Sequence, residues 1–312
     1  MNMLADVRFL TQTEFHQLET RFEDESGTYW AVLNPRSSPT FNPQILIEVR
    51  NFIDRIVSNK GRIAFKGQDL PINYVVLASK VPGVFSLGGD LTLFRSAILS
   101  RNREQLLHYG QLCIDDLLPW NRNFDLPITT ISLVQGTALG GGFEGALASS
   151  VVVAEESSRM GFPEILFNLF PGMGAYSFLS RKVGRRITDE LVTSGNTYSA
   201  RQLFEMGVVD VLAPDGTGEA AVYSYIRKHS RNGNGRRAIE QVRRDFDPVT
   251  REELARIVEL WVDTALKLEE RDLKMMDRLV RAQYRAALEN TTESELEPVA
   301  RVDRFGAVGA GD

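Results

Sequence analysis

The segment Ile131–Gly174, ISLVQGTALGGGFEGALASSVVVAEESSRMGFPEILFNLFPGMG, sets the reading of the chain. Ile131 to Val134 is an apolar run closed by glycine, which predicts a buried strand. Gly136, Gly140, Gly141 and Gly142 let the backbone turn sharply and leave room for a ligand beside it. Phe143 to Ser149 reads as the first turns of a helix, with Glu144 near its N-terminus. Free N–H groups and the helix dipole favour developing negative charge at such a place. Val151 to Ala154 predicts a second buried strand, and Met160-Gly-Phe-Pro-Glu164 brings back another carboxylate, twenty residues after the first. A donor-rich turn between two acids suits proton transfer beside an enolate or oxyanion. A phosphate loop is excluded because no Gly-Lys-Ser/Thr follows. The glycine spacing is wrong for a dinucleotide fold, and the turn lies mid-chain rather than in a first βαβ unit.

Working outward, the alternation of strands and helices gives an α/β class. Tyr29 to Leu33 predicts a strand, and Ile45, Val49, Phe52, Ile53 and Ile56 fall at helical spacing. Asn73 to Ser79 predicts the strand that feeds Phe85-Ser-Leu-Gly-Gly-Asp-Leu91. Leu91 to Trp120 is helical in pattern, broken at Gly110 and stopped at Pro119, with His108 and Tyr109 as packing residues. A helix follows Gly174 and ends at Gly184. Ser199 caps a short helix, Ala200 to Met206, closed by Gly207, and Val208 to Leu212 returns as a strand. Leu254, Val258, Trp261, Ala265 and Leu268 make one helical stripe, and Leu273, Met276, Val280 and Tyr284 another. The expected organisation is an N-terminal arm over 1–27, a core over 28–226, a C-terminal helical region over 227–289 and a disordered tail over 290–312.

With 312 residues, 43% hydrophobic and 25% charged, the chain can bury one large core. A net charge of −5 argues against general nucleic-acid binding. The single cysteine, Cys113, excludes an internal disulfide framework, and the three histidines show no metal-ligand spacing. No run approaches the ~20 apolar residues of a membrane span, and Asp6, Arg8 and Glu14 interrupt any leader pattern. A cytoplasmic protein without membrane partner, metal or resident cofactor is expected. One stretch stands apart: Arg227 to Arg244 holds seven Lys or Arg against one Glu, around Asn232-Gly-Asn-Gly235. It reads either as a solvated loop and helix face, flexible at that Asn-Gly-Asn-Gly, or as a dock for an acidic partner, such as a carrier protein or the phosphates of coenzyme A.

Two segments together, F-S-L-G-G-D at Phe85 to Asp90 and Q-G-T-A-L-G-G-G-F-E at Gln135 to Glu144, resemble the paired oxyanion-hole segments of the crotonase (enoyl-CoA hydratase/isomerase) superfamily. The resemblance covers roughly Tyr29 to Lys267. It implies a spiral core of ββα units with a C-terminal helical region, assembled as a homotrimer or hexamer. It implies backbone donors to a thioester carbonyl at Gly89 and Gly141, and catalytic acids at Glu144 and Glu164. A narrower resemblance, carried by Met160 to Gly184 and its Asn168-Leu-Phe-Pro-Gly-Met173-Gly element, is to the diffusible signal factor synthases, which make cis-2-unsaturated fatty acid signals. That branch places Met173, Trp261 and Leu279 along the acyl pocket. Where ordinary hydratases have an Asn-Ala turn that grips coenzyme A, this chain has Pro39-Thr-Phe-Asn42-Pro43, which leans towards an acyl carrier protein substrate.

The expected function is dehydration of a 3-hydroxyacyl thioester to a cis-2-enoyl thioester, with hydrolytic release of the free acid for quorum sensing. The alternatives are an enoyl-CoA hydratase of fatty-acid catabolism and a non-catalytic crotonase-fold partner of a sensor-kinase receiver domain.

Overall fold

A computed structural model describes residues 15–36 and 38–281. The chain opens with β1 (Leu18–Glu23), β2 (Thr28–Leu33), α1 (Pro43–Ser58), β3 (Arg62–Phe65), β4 (Gln68–Pro71), β5 (Tyr74–Ser79) and β6 (Val84–Ser86). Then come α2 (Leu91–Leu99), α3 (Arg103–Asn121), β7 (Thr129–Val134), β8 (Thr137–Leu139), α4 (Gly141–Leu147), β9 (Val151–Glu155) and β10 (Arg159–Gly161). The last part holds α5 (Ala175–Ser194), β11 (Thr197–Ser199), α6 (Ala200–Glu205), β12 (Val211–Ala213), α7 (Gly218–Ser230), α8 (Gly233–Phe246) and α9 (Arg251–Ala265). A further helical stretch covers 270–281.

Three consecutive units share one design. The strands β5, β7 and β9 enter a six-stranded sheet of order β1-β2-β5-β7-β9-β12, parallel except where β1 meets β2. Their followers β6, β8 and β10 enter a second, four-stranded sheet of order β11-β10-β8-β6. A helical segment comes after each pair. This is the expected α/β spiral of ββα units.

The apolar runs follow from burial on both faces, as parallel sheets require. Val75, Leu77, Val152 and Ala154 face the main core with α1 and α3, whereas Trp30, Val76, Ile131, Leu133 and Val153 face a second cluster with Val222 and Ile226 of α7.

Several boundaries differ from the sequence reading. The arm expected over 1–27 contains β1, an edge strand of the large sheet. The helix expected to break at Gly110 instead breaks at Ser100 to Asn102, where Arg101 is left-handed (φ 51°) and Asn102 caps α3. Gly110 lies inside α3 because α9 crosses there: a Cβ on it would stand 2.5 Å from Val258. Pro119 sits in the last turn of α3 rather than after it. Gly184 leaves helical geometry (φ 77°, ψ 167°), and the chain resumes helix beyond it to Ser194. The Asn232-Gly-Asn-Gly235 segment is the opening of α8, not a loop. Tyr284 and the expected tail over 290–312 lie outside the described residues. Among the described residues, no helix is long and apolar enough to cross a membrane.

Candidate active site

Close packing of backbone on backbone shapes the site. Gly140 turns the chain from β8 into α4 with φ 52° and ψ −124°. A Cβ there would lie 2.3 Å from Glu164 Oε1, so a side chain would collide with the second carboxylate. Gly142 presses the first turn of α4 onto the end of β6: a Cβ on it would reach 2.3 Å from Ser86 O. The glycine run is therefore the contact between the 85–89 loop and the 140–144 turn.

That contact brings the two expected donors together. A Cβ on Gly141 would lie 3.3 Å from Gly89 N, and one on Gly88 would lie 3.2 Å from Gly141 N. Gly141 is the first helical residue of α4, where the N–H has no intrahelical acceptor. Among the described residues, neither the Gly89 nor the Gly141 N–H donates to another group. The 39–43 segment buttresses this loop: Pro39 O accepts from Leu87 N (2.7 Å) and Phe41 N donates to Gly88 O (2.7 Å). Asn42 caps α1 through its side chain, accepting from Ile45 N at 3.0 Å, and Pro43 occupies the first turn. The proline that departs from the hydratase pattern thus has a local reason, because a helix start tolerates its missing N–H and fixed φ.

Glu144 is buried in α4 at 1% exposure. Its Oε1 accepts from Met173 N (2.8 Å) and Ala175 N (3.0 Å), the latter being the first residue of α5. Burial pushes its pKa up to about 7, against the opposing pull of those two N–H groups. Glu164 opens a short 3-10 turn, Glu164–Phe167. The residue is half-buried, but its Oε2 is out of solvent contact and has no hydrogen-bond partner. Burial, then the nearby Glu144 charge, pushes its pKa up to about 8. Two carboxyls raised into the same range share protons, so their apparent values belong to the pair.

Glu144, Glu164, Gly89, Gly141, Met173, Trp261 and Leu279 line one narrow cavity of about 90 Å³. Trp261 of α9 packs its ring on Gly172, where a Cβ would lie 2.5 Å away, and edge-on to Phe94 at 5.1 Å between centroids. Met173 donates its N–H to Glu144 and lines the same cavity. Apart from its carboxyls the cavity is largely apolar.

Two cavity residues escaped the sequence reading. Tyr109, expected only to pack, lines the cavity and donates from its hydroxyl to Phe41 O at 2.6 Å. Asp116 lines it as well. The signal was a stripe at helical spacing, Tyr109, Cys113, Asp116 and Trp120, apolar but for one carboxyl.

The basic stretch lies elsewhere. Arg236, Arg243, Arg244, Lys228, Arg181 and Lys182 line a large groove of about 1440 Å³ between α8 and the body, which shares no lining residue with the cavity of the two acids. Among the described residues, Arg236, Arg237, Arg243 and Arg244 make no ion pair with a carboxylate.

A spiral of ββα units with two acids and two free backbone donors at one end defines a crotonase-type fold. Residues 59–290 match the family model described as enoyl-CoA hydratase/isomerase, and the chain belongs to that family. Probable enoyl-CoA hydratase 2, mitochondrial, of Arabidopsis thaliana is 29% identical over 237 residues, 75% of this chain and 72% of that protein. Human methylglutaconyl-CoA hydratase, mitochondrial, is 31% identical over 154 residues, 49% of this chain and 43% of that protein, so the match spans less than half of it. Among solved structures, human mitochondrial delta3-delta2-enoyl-CoA isomerase superposes with a TM-score of 0.71 at 16% identity, over 86% of this chain and 99% of that one. Pseudomonas aeruginosa DspI superposes with a TM-score of 0.64 at 22% identity, over 80% and 87%. At these identities the structural likeness establishes the fold.

Proposed function

We propose that the protein interconverts a 3-hydroxyacyl thioester and its 2-enoyl thioester, working as a dehydratase that yields a cis-2-enoyl product and then releases the free fatty acid by hydrolysis. The observation that carries this reading is the meeting of Glu144, Glu164 and the unengaged Gly89 and Gly141 N–H groups in one apolar cavity. The relatives named as hydratases of coenzyme A thioesters support the thioester part of it.

The thioester oxygen sits between the Gly89 and Gly141 donors, which stabilise the enolate that forms when the Cα proton leaves. One such donor typically contributes about 3–4 kcal/mol to the transition state. The resting pair favours Glu144 as carboxylate, because it accepts two backbone N–H bonds at the start of α5, and Glu164 as the protonated partner with an unpaired oxygen. In the hydration direction Glu144 takes a proton from water while Glu164 gives one to Cα. Dehydration reverses both transfers: the Glu164 carboxylate takes the Cα proton and the Glu144 carboxyl protonates the leaving hydroxyl, releasing water. This direction starts with the proton on Glu144, the less favoured arrangement of the resting pair, because Glu144 already accepts two backbone N–H bonds. For release, water activated by one of the same carboxylates attacks the carbonyl held in the hole, and the carrier thiol departs.

An acyl carrier protein is the proposed donor of the acyl group, with the unneutralised arginines of α8 as its docking patch. Because groove and cavity share no wall, the carrier's flexible thiol arm has to span between them.

Incubation of the purified protein with 3-hydroxyacyl carrier protein, with products resolved by chromatography and mass spectrometry, tests the reading. Free cis-2-enoic acid is the expected product. A trans-2-enoyl thioester with no free acid, or turnover only of crotonyl-CoA, would reduce the protein to a hydratase. No turnover of either would leave a binding protein on the crotonase fold.

A further inference from the structure

The acyl cavity contains a third buried carboxyl that the reaction does not use. α3 runs Tyr109, Cys113, Asp116 and Trp120 along one wall. Tyr109 marks the reactive end, because a Cβ on Gly89 would come within 3.2 Å of its hydroxyl. At about 1.5 Å per helical residue, Asp116 stands about 10 Å further along. α1 supplies apolar Leu46 and Val49 to the same cavity.

Asp116 is 5% exposed, and neither of its oxygens has solvent contact or a hydrogen-bond partner. Arg50 Nε stands 3.2 Å from Oδ1, within ion-pair distance but not aligned as a hydrogen bond. Arg50 Nη2 is itself buried without an acceptor. Burial raises the Asp116 carboxyl well above the usual range, against the pull of Arg50. A plain hydrocarbon tail would leave this carboxyl with its Arg50 ion pair but no aligned hydrogen bond, which is costly for a buried polar atom. A chain with an oxygen at that depth would pair it.

We propose that the inner part of the cavity is a second recognition site, in which Asp116, backed by Arg50, selects acyl chains bearing a hydroxyl where the chain passes it. The inference rests on the cavity being the acyl site, so its test measures binding and includes plain chains as their own control.

The probes are N-acetylcysteamine thioesters of saturated acids of graded length, each with and without a terminal hydroxyl, titrated calorimetrically into the full-length protein. At the length that reaches Asp116, the hydroxylated probe is expected to bind about tenfold more tightly than the plain one, the worth of one hydrogen bond to a buried carboxyl. Asp116→Leu should reverse the preference. Asp116→Asn, which keeps a donor and an acceptor at nearly the same volume, should preserve it. Equal or weaker binding of the hydroxylated probe at every length by the unaltered protein would overturn the inference without any variant needing to fold. A preference that survives Asp116→Leu in a protein with unaltered circular dichroism would overturn it too. Failure of the plain probes to bind at any length would overturn the acyl-site reading itself, and the inference with it.

Discussion

Glu164→Gln should slow the enzyme and stabilise it together, with the stabilisation growing as pH rises from about 4.5 to about 8. The native carboxyl holds its proton more tightly than the unfolded chain does, because its pKa rises from an ordinary 4.5 to about 8. Below about 4.5 both states are protonated and nothing is lost. As pH climbs from there through about 8, the native state must carry a buried charge, and stability falls. A displacement of that size corresponds to about 5 kcal/mol at about 1.4 kcal/mol per pH unit. Part of it comes from the Glu144 charge, so about 3–5 kcal/mol is the reasonable range. Glutamine is close to isosteric and cannot ionise, so the variant escapes this loss. Differential scanning calorimetry should give nearly equal melting temperatures near about pH 5. Near about pH 9 the variant should melt about 5–10 °C higher, at roughly 2 °C per kcal/mol for a chain of this size. Hydration of an enoyl thioester should fall about 10²–10⁴-fold, the usual worth of one positioned acid or base. Parallel stability curves for the two proteins from acid to alkaline pH would refute the reasoning, since they would mean that Glu164 titrates as if exposed.

Further outcomes follow from the same geometry. Activity should be bell-shaped in pH with its maximum between about 7 and about 8, because the pair must hold one proton; a flat profile across that interval would contradict the sharing. Met173→Trp should shorten the accepted acyl chain by filling the cavity wall beside Gly172, and an unchanged chain-length profile would place the pocket elsewhere. Reversing Arg236, Arg237, Arg243 and Arg244 to Glu should lower kcat/KM for carrier-bound substrate by about tenfold or more at low salt and less at high salt, while leaving N-acetylcysteamine thioesters untouched. Equal kinetics on both substrates would return α8 to a plain solvated face.

The parts of the fold legible in the sequence are those where burial writes a long signal. β2, β5, β7 and β9 are buried nearly throughout, so their apolar runs and bounding glycines stood out. The second sheet did not, because β6, β8, β10 and β11 have three residues each, too few for any period to show. Gly110 misled because glycine breaks a helix when seen alone, whereas here it admits Val258 of the crossing helix. Gly233 to Gly235 misled similarly, since glycines read as a loop by propensity and yet open α8. In the site, Glu144 and Glu164 were readable because each adjoins a turn whose residues have few other uses. Asp116 was not, since a single aspartate on a helix usually faces water, and only the fold shows that this one faces a cavity.

The central claim is that Glu144 and Glu164 together move the protons of one thioester held by Gly89 and Gly141. It is tested most directly by mass spectrometry of a 3-hydroxyacyl thioester incubated with the unaltered protein, Glu144→Gln and Glu164→Gln, each checked for an unchanged fold. Loss of one water from the acyl group with the unaltered protein, and from neither variant on the same timescale, is the predicted result. Loss of water at the unaltered rate in either variant would contradict it.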